Sequence, residues 1–328
     1  MRTTDAEFER RTRSYRPELL AHAYRMLGSI HEAEDAVQET YLRAWRGIES
    51  FEGRSSVRSW LYRIATTAAL RALENRGRRA LPTGLGGPAD DPSADLVQWP
   101  ELPWLEPAPD AMLAGAIGAD DPLAAVTRRQ SVRLAFVAAL QHLPSRQRAV
   151  LVLREVLGFA AAEVAQMLGT TPAAVNSALQ RARAQLERVR PDEGDVVESG
   201  SPEQRALLER YVEAMHANDM AALVGVLTED AVYEMPPFPA WFRGARTIGE
   251  MVDAQSPAQR PGDHVLVPTA ANGQAAFGLY LPDEHGVHRA FNIQVLDVTG
   301  AGISHIVIFF DLRLFARFGL PEVLPPAS

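Results

Sequence analysis

The sequence predicts two all-α modules followed by one α+β domain, with acidic connectors between them. Three observations predict it. Apolar residues recur at three- and four-residue spacing over 16–79 and again over 123–190. Between these stretches, residues 81–122 are rich in Pro, Gly and Asp. Beyond residue 203, helices over 203–217 and 219–227 give way to strand-like stretches at 263–270, 274–281, 287–298 and 302–310, with period-two alternation clearest where Val287, Arg289, Phe291, Ile293 and Val295 interleave with His288, Ala290, Asn292, Gln294 and Leu296. A chain of 328 residues that is 47% hydrophobic and 23% charged suits several soluble globular domains. With no cysteine, a disulfide framework, a thiolate zinc site, an iron–sulfur cluster and thiol redox sensing are excluded. No apolar run approaches the ~18 residues of a membrane span, and the N-terminus lacks a signal-peptide core, so no membrane partner and a cytoplasmic protein are expected.

In the first module, Ala33, Ala36, Val37, Thr40, Tyr41, Ala44 and Trp45 form one face of a helix, and Glu32, Asp35 and Glu39 the other. Phe51-Glu52-Gly53-Arg54-Ser55 reads as a turn. A second helix buries Val57, Trp60, Leu61, Ile64 and Ala68 and ends among Arg71, Arg76, Arg78 and Arg79. The linker 81–122 repeats Pro and Gly, which remove amide donors and break helices. Its two tryptophans, Trp99 and Trp104, predict docking rather than free solvation.

The second module holds a helix-turn-helix. Ala160 to Leu168 and the helix opened by Thr171-Pro172 flank Gly169, with Thr171 as N-cap and Pro172 where its missing amide proton costs nothing. Val175, Leu179, Ala182 and Leu186 make a buried stripe, which leaves Asn176, Ser177, Gln180, Arg181 and Arg183 exposed. Such side chains suit a major groove: amides bond adenine edges, and arginine forks onto guanine or phosphate. Charge is distributed to match. Residues 1–80 carry 15 arginines against 11 carboxylates and 128–190 carry 10 against 3, whereas 81–127 carry 8 carboxylates and no basic residue. Two basic modules joined by an acidic segment fit nucleic-acid-facing units. An ordinary helical hairpin with a solvated polar face has the same spacing, so the pattern alone leaves both readings open.

Leu143-Pro144-Ser145-Arg146-Gln147-Arg148-Ala149-Val150, Ala162-Glu163-Val164-Ala165 and Asn176-Ser177-Ala178-Leu179-Gln180-Arg181-Ala182-Arg183 together resemble region 4 of extracytoplasmic-function (ECF) sigma factors. The stretch Glu32 to Trp45 resembles their region 2, and Trp60-Leu61-Tyr62-Arg63-Ile64-Ala65 resembles the start of their −10 reader. The resemblance implies region 2 over 8–80, a linker over 81–122 and region 4 over 123–190. It implies docking of Glu32, Asp35, Gln38 and Glu39 on core RNA polymerase. Phe51, Arg54, Trp60, Arg63 and Thr67 would surround the −10 strand, with Thr67 where relatives usually carry Asn. Asn176, Ser177, Gln180, Arg181 and Arg183 would read and position the −35 element of promoter DNA. Trp99, Trp104, Leu105 and Pro107 look like the linker docking motif of sigma factors that carry a C-terminal extension.

That extension, 203–328, resembles the SnoaL-like α+β cones through Ala231-Val232-Tyr233-Glu234-Met235-Pro236-Pro237, Trp241-Phe242-Arg243-Gly244, Ala271-Asn272-Gly273-Gln274-Ala275-Ala276 and Phe318-Gly319-Leu320-Pro321. A curved sheet closed by helices implies a pocket for a small hydrophobic ligand, with Tyr233, Met235, Trp241, Phe242, His288, Asn292, Gln294, His305 and Asp311 as lining candidates. Asp311, His305 and Glu234 have the chemistry of a general base, but no spacing fixes an acid–base pair. The expectation is a regulatory, non-enzymatic domain with no catalytic residue, metal or cofactor. Two other readings stay open: a one-component DNA-binding regulator, and a bifunctional protein whose cone is an isomerase, cyclase or hydrolase.

Overall fold

The computed structural model describes residues 5–51, 53, 55–74, 76–117, 129–189 and 200–325. They fall into two compact units, each assembled from separate stretches of chain: 1–79 with 105–191, and 80–104 with 192–328. The span read as a linker is thus divided between them at Trp104/Leu105. No helix among the described residues is long and apolar enough to cross a membrane.

The first unit is helical: α1 (Asp5–Thr12), α2 (Arg16–Leu27), α3 (Ile30–Gly47), α4 (Val57–Leu73), α5 (Asp110–Ile117), α6 (Leu134–Leu140), α7 (Ser145–Leu151), α8 (Ala161–Leu168) and α9 (Pro172–Val189). Its core includes Leu19, Ala23, Met26, Leu27, Ile30, Leu61, Leu140 and Val150, all nearly inaccessible. Local chemistry sets the helix ends. Gly28, at φ +68°, stops α2 in the left-handed conformation that favours glycine. Ser29 then caps α3 by accepting from Glu32 N–H at 3.2 Å, and Ser56 caps α4 by accepting from Ser59 N–H at 3.0 Å. Thr171 Oγ1 accepts from Ala174 N–H at 3.2 Å, so the N-cap read from Thr171-Pro172 stands.

Two charged side chains from distant parts of the chain close the corner between α2 and α3. Glu106 Oε2 accepts from Ser29 Oγ at 2.7 Å, Ile30 N–H at 3.1 Å and His31 Nδ1 at 3.0 Å, while Glu106 N–H donates to Gly28 O at 2.9 Å. A carboxylate there satisfies orphan amides and faces the positive end of the helix dipole. Leu105 is buried beside it, and a Cβ on Gly28 would stand 2.8 Å from Leu105 Cδ1. On the other side, the buried Arg148 of α7 reaches Met26 O, near the negative end of α2, and also Gln141 Oε1 at 2.7 Å and the carbonyls of Gln141 and Leu143, both at 3.2 Å. Burial pulls its guanidinium down to about 10.

The second unit is α+β. One sheet runs in the order β2 (Trp241–Arg243), β1 (Leu227–Glu234), β6 (Gly302–Phe309), β5 (His288–Thr299), β4 (Gln274–Pro282), β3 (Val265–Ala271). Only β1 and β6 pair in parallel. Helices α10 (Pro202–Ala217), α11 (Met220–Val226) and α12 (Ala245–Gln255) share a core with one face of the sheet, built from Leu207, Tyr211, Ile248, Tyr233, Phe277, Leu296 and Ile306. The opposite face receives α13 (Arg313–Arg317) at Gly278, where a Cβ would meet Leu320 at 2.7 Å and Phe315 at 3.2 Å.

Residues 80–104 join this unit on both sides: Thr83 meets the opposite face at Glu234, whereas Ala89 and Leu96 pack against the helix-side core. Trp241 Nε1–H donates to Gly86 O at 2.9 Å, Ala89 N–H to Trp241 O at 2.8 Å, Trp99 N–H to Pro237 O at 2.9 Å and Thr83 N–H to Glu234 Oε2 at 2.7 Å. Gln255 of α12 donates to the carbonyls of Pro92 and Ala94. The ends of the segment meet, because Ala80 N–H bonds Pro103 O at 3.2 Å. It is a pinned loop rather than a free spacer.

Two expectations follow from the helical unit. Glu106→Ala removes three donors' acceptor and a favourable dipole contact, and should cost about 2 kcal/mol of that unit's stability, read as an earlier thermal transition. His22, fully buried with Nε2 2.9 Å from Thr66 Oγ1, is held by burial, and secondarily by the Arg25 charge, down to about 3. The unfolded chain binds that proton from pH 6.5 downward and the folded one does not. Stability should therefore fall by about 1.4 kcal/mol per pH unit below 6.5. Denaturant titrations at pH 7 and pH 5 should show the loss, and His22→Gln should flatten it.

Candidate functional site

On α9 the stripe Val175, Leu179 and Ala182 is buried, with Leu186 half-buried. The turn geometry at Gly169 and the Thr171 cap aim this stripe inward. Asn176, Ser177, Gln180, Arg181 and Arg183 consequently all stand exposed on one helix. Glu155 receives Arg183 Nε–H at 2.5 Å and orients that guanidinium. Sequence reading missed Glu155, since 28 residues separate the pair. The set presents two amides, a hydroxyl and two guanidiniums, a group able to bond base edges and phosphates.

Phe51, ahead of α4, and Trp60 of α4 pack with ring centroids 4.8 Å apart, and the Trp60 indole is buried. Arg63 is exposed, Thr67 is half-buried and bonded to Arg63 O at 2.8 Å, and Arg54 lies outside the described residues. The same helix touches the helix-turn-helix: Ser59 Oγ donates to Glu163 Oε1 at 3.2 Å, Tyr62 meets Phe159 edge-on at 5.2 Å, and the Arg58 guanidinium lies 4.6 Å over the Phe159 ring. Arg63 lies one turn beyond Ser59, so the face assigned to the −10 strand borders a contact inside the unit.

The acidic face of α3 is divided. Asp35 and Gln38 are exposed, Glu39 pairs with Arg43 at 2.5 Å, and Glu32 is taken up by Arg76 and Arg79. Leu42 and Trp45, 53% and 37% exposed, continue the ridge of Asp35 and Gln38. The run 35, 38, 42 and 45, at successive spacings of three, four and three, was the available signal; Trp45, assigned from the sequence to the apolar face, is exposed and meets Phe8 edge-on at 5.3 Å.

Of the linker residues, Leu105 and Pro107 are buried in the helical unit. Trp104 and Trp99 belong to the second unit, where Trp104 Nε1–H donates to Trp99 O at 2.9 Å and the Trp99 ring is half exposed.

In the second unit, strand alternation sorts the pocket candidates into two groups. Directly paired residues share a face. Tyr233 pairs with Phe242 and Ile306, Leu296 with Ile306, Phe277 with Gln294 and Leu279 with Asn292. Tyr233, Phe242, Asn292 and Gln294 thus face the helices, joined by Met235 in the same core. Tyr211 of α10, which sequence reading missed, donates its hydroxyl to Gln294 Oε1 at 2.7 Å. Burial raises both phenols, Tyr211 and Tyr233, well above the ordinary tyrosine range. Asn292 Oδ1 is buried without a partner.

Trp241 and His305 are not on that side. Glu234 pairs with Trp241 and Val307, and Asp297 with His305, which places Trp241, His305, Glu234 and Asp297 on the face that Thr83 meets. His288 is bonded to Gly262 O at 3.1 Å, and Asp311 is forked by Arg313 at 2.7 and 2.9 Å, so neither joins the helix-side group. His305 instead bridges two carboxylates: Nε2 lies 2.7 Å from Glu234 Oε1 and Nδ1 lies 3.7 Å from Asp297 Oδ2. Burial disfavours charge on its ring, but the Glu234 hydrogen bond and the two carboxylate charges outweigh it and raise its pKa. Among the described residues no cluster of His, Cys, Asp and Glu is arranged to hold a metal ion.

Family models match three stretches: Sigma-70 region 2 over residues 12–79, Sigma-70 region 4 over 133–186 and a SnoaL-like domain over 208–299. The chain is 52% identical over 319 residues to the ECF RNA polymerase sigma factor SigG of Mycobacterium tuberculosis, covering 97% of this chain and 85% of that one. It is 30% identical over 229 residues to the ECF RNA polymerase sigma factor SigJ of the same organism, covering 70% and 63%. The crystal structure of Mycobacterium tuberculosis SigJ shares the fold, with a TM-score of 0.60 at 24% identity, covering 97% of this chain and all of that one. Exposed polar residues on α9, the helical region 2 and the α+β extension thus meet in one chain with these relatives: it belongs to the ECF RNA polymerase sigma factors, with a C-terminal SnoaL-like domain.

Proposed function

We propose that this sigma factor reads the −35 element with Asn176, Ser177, Gln180, Arg181 and Arg183, reads the −10 element from α4 with Phe51, Arg54, Trp60, Arg63 and Thr67, and meets core polymerase with Asp35, Gln38, Glu39 and, once released from its arginines, Glu32. The observation that carries this reading is the division of α9: its apolar stripe is buried and its five polar candidates are all exposed. A helix so divided offers an unobstructed face to a groove. The buried Trp60 indole packs the −10 reader, while the exposed Arg63 takes phosphate.

The SnoaL-like domain regulates this activity by holding the segment that joins the two DNA-reading modules. Support comes from the hydrogen bonds between residues 83–99 and the sheet at Trp241, Pro237 and Glu234. Its helix-side core takes a small, apolar, uncharged ligand bearing a donor for Asn292 Oδ1. Binding is favoured over catalysis there, because the base candidates His305, Glu234 and Asp311 lie elsewhere.

Run-off transcription with core polymerase from an actinobacterial relative tests both parts. Asn176→Ala and Arg181→Ala should each lower initiation about 5- to 150-fold on a matched −35 element, corresponding to about 1–3 kcal/mol per contact. Full activity in both folded variants would remove the −35 assignment. Deletion of 200–328 should change transcript yield at equal polymerase occupancy, and identical yields would remove the regulatory role.

A further inference from the structure

The outer face of the sheet carries a row of ionisable and polar groups that promoter recognition does not use. Gln274 Nε2–H donates to Asp297 Oδ1 at 2.8 Å, Asp297 faces His305, and His305 donates to Glu234 Oε1. The remaining Glu234 oxygen accepts the backbone N–H of Thr83. Glu234 is completely inaccessible, and residues 82–89 complete its enclosure through Thr83 and through the bonds of Gly86 and Ala89 to Trp241.

We propose that Asp297, His305 and Glu234 form a proton-operated lock that holds residues 82–89 on the sheet, and that loss of the His305 proton releases them. The inference deepens the regulatory reading above, by naming the chemistry of the hold. A carboxylate with no access to water is stable only when paired and hydrogen-bonded. Protonated His305 supplies the cation between two carboxylates. Once His305 is neutral, Glu234 keeps its two donors but no counter-charge, with Asp297 on the other side of the ring. Water reaches Glu234 again only if residues 82–86 lift away.

Glu234 comes from β1 and Asp297 from β5, whereas the covering stretch Pro82-Thr83-Gly84-Leu85-Gly86-Gly87-Pro88-Ala89 contains no titratable residue. Arg243 of β2, the nearest cation in strand register, lies over the Trp241 ring at 5.4 Å. The sign follows from His305. Its pKa is raised in the folded state, so the hold is complete below the ordinary histidine value and is lost as pH rises through the raised one.

Hydrogen exchange of the full chain reads the lock directly, independently of transcription. After correction for intrinsic rates, the amides of Thr83 and Ala89 should lose at least tenfold protection between pH 6 and pH 9, while strands β4 and β5 keep theirs. Asp297→Asn should move the midpoint of that loss to lower pH by about one unit, because one neighbouring charge is removed. A merely structural Asp297 would lower protection without moving the midpoint. Protection of Thr83 and Ala89 that does not vary with pH in the unsubstituted chain overturns the proposal. So does an unmoved midpoint in folded Asp297→Asn, and should that variant unfold, the histidine titration of the unsubstituted chain by NMR must coincide with the loss of protection. If the lock titrates as described yet transcription is indifferent to it, the regulatory reading fails and the lock stands.

Discussion

The corner between α2 and α3 is the constraint on which the helical unit depends. One helix ends and the next begins within two residues, so carbonyls of α2 and amides of α3 are left without intrahelical partners side by side. Arg148 supplies the cation at the first terminus and Glu106 the anion at the second. Each charge matches the helix end it meets. Arg148 belongs to the region 4 match and Glu106 to the connector, so these contacts tie three parts of the chain at one point. Gly28 makes the corner possible twice over, through its left-handed backbone and through the space its missing Cβ leaves for Leu105.

The same corner explains why the connector is divided where it is. Leu105 and Glu106 are fixed at α3, and Arg79, on the other side of the excursion, bonds Glu32 of the same helix. Residues 80–104 then have no role in the helical core and find their hydrogen bonds on the sheet. Most of those bonds use backbone groups, which suits a stretch with three prolines and three glycines among its first thirteen residues and few side chains able to compete. An apolar tryptophan on β2, Trp241, anchors the segment by donating to Gly86 and accepting from Ala89.

Much of the fold was legible in the sequence, for identifiable reasons. Periodicity found the helices from α2 to α4 and α8 to α9, and alternation found β3 to β6, because each has one buried face and a regular repeat. It missed α1, β1, β2, α12, α13 and α5, the last lying inside the stretch read as a linker. β1 carries Glu229, Asp230 and the buried Glu234, a composition that argues against a strand until the partner His305 is known. The recognition helix was equally legible, since a buried stripe necessarily exposes its complement. The lining candidates were only partly so. Trp241 and His305 looked like lining residues by type, but their face is decided by register with β1 and β6, and no local pattern contains that information. Tyr211 and Glu155 act across long sequence separations and left no local signature.

The connector couples two events in one chain. Its ends are joined at Ala80 and Pro103, next in sequence to the residues that fasten the α2–α3 corner. The free energy with which the sheet retains residues 80–104 is therefore a term in any equilibrium that moves the two DNA-reading modules apart, provided the opened form retains the segment less well. Inside the helical unit, the contact of α4 with Phe159 and Glu163 is made of one neutral-to-charged hydrogen bond, an aromatic edge and a cation over a ring. Each such contact contributes on the order of 1 kcal/mol. A contact of that size is small beside the hydrogen bonds that hold residues 83–99 on the sheet of the SnoaL-like domain.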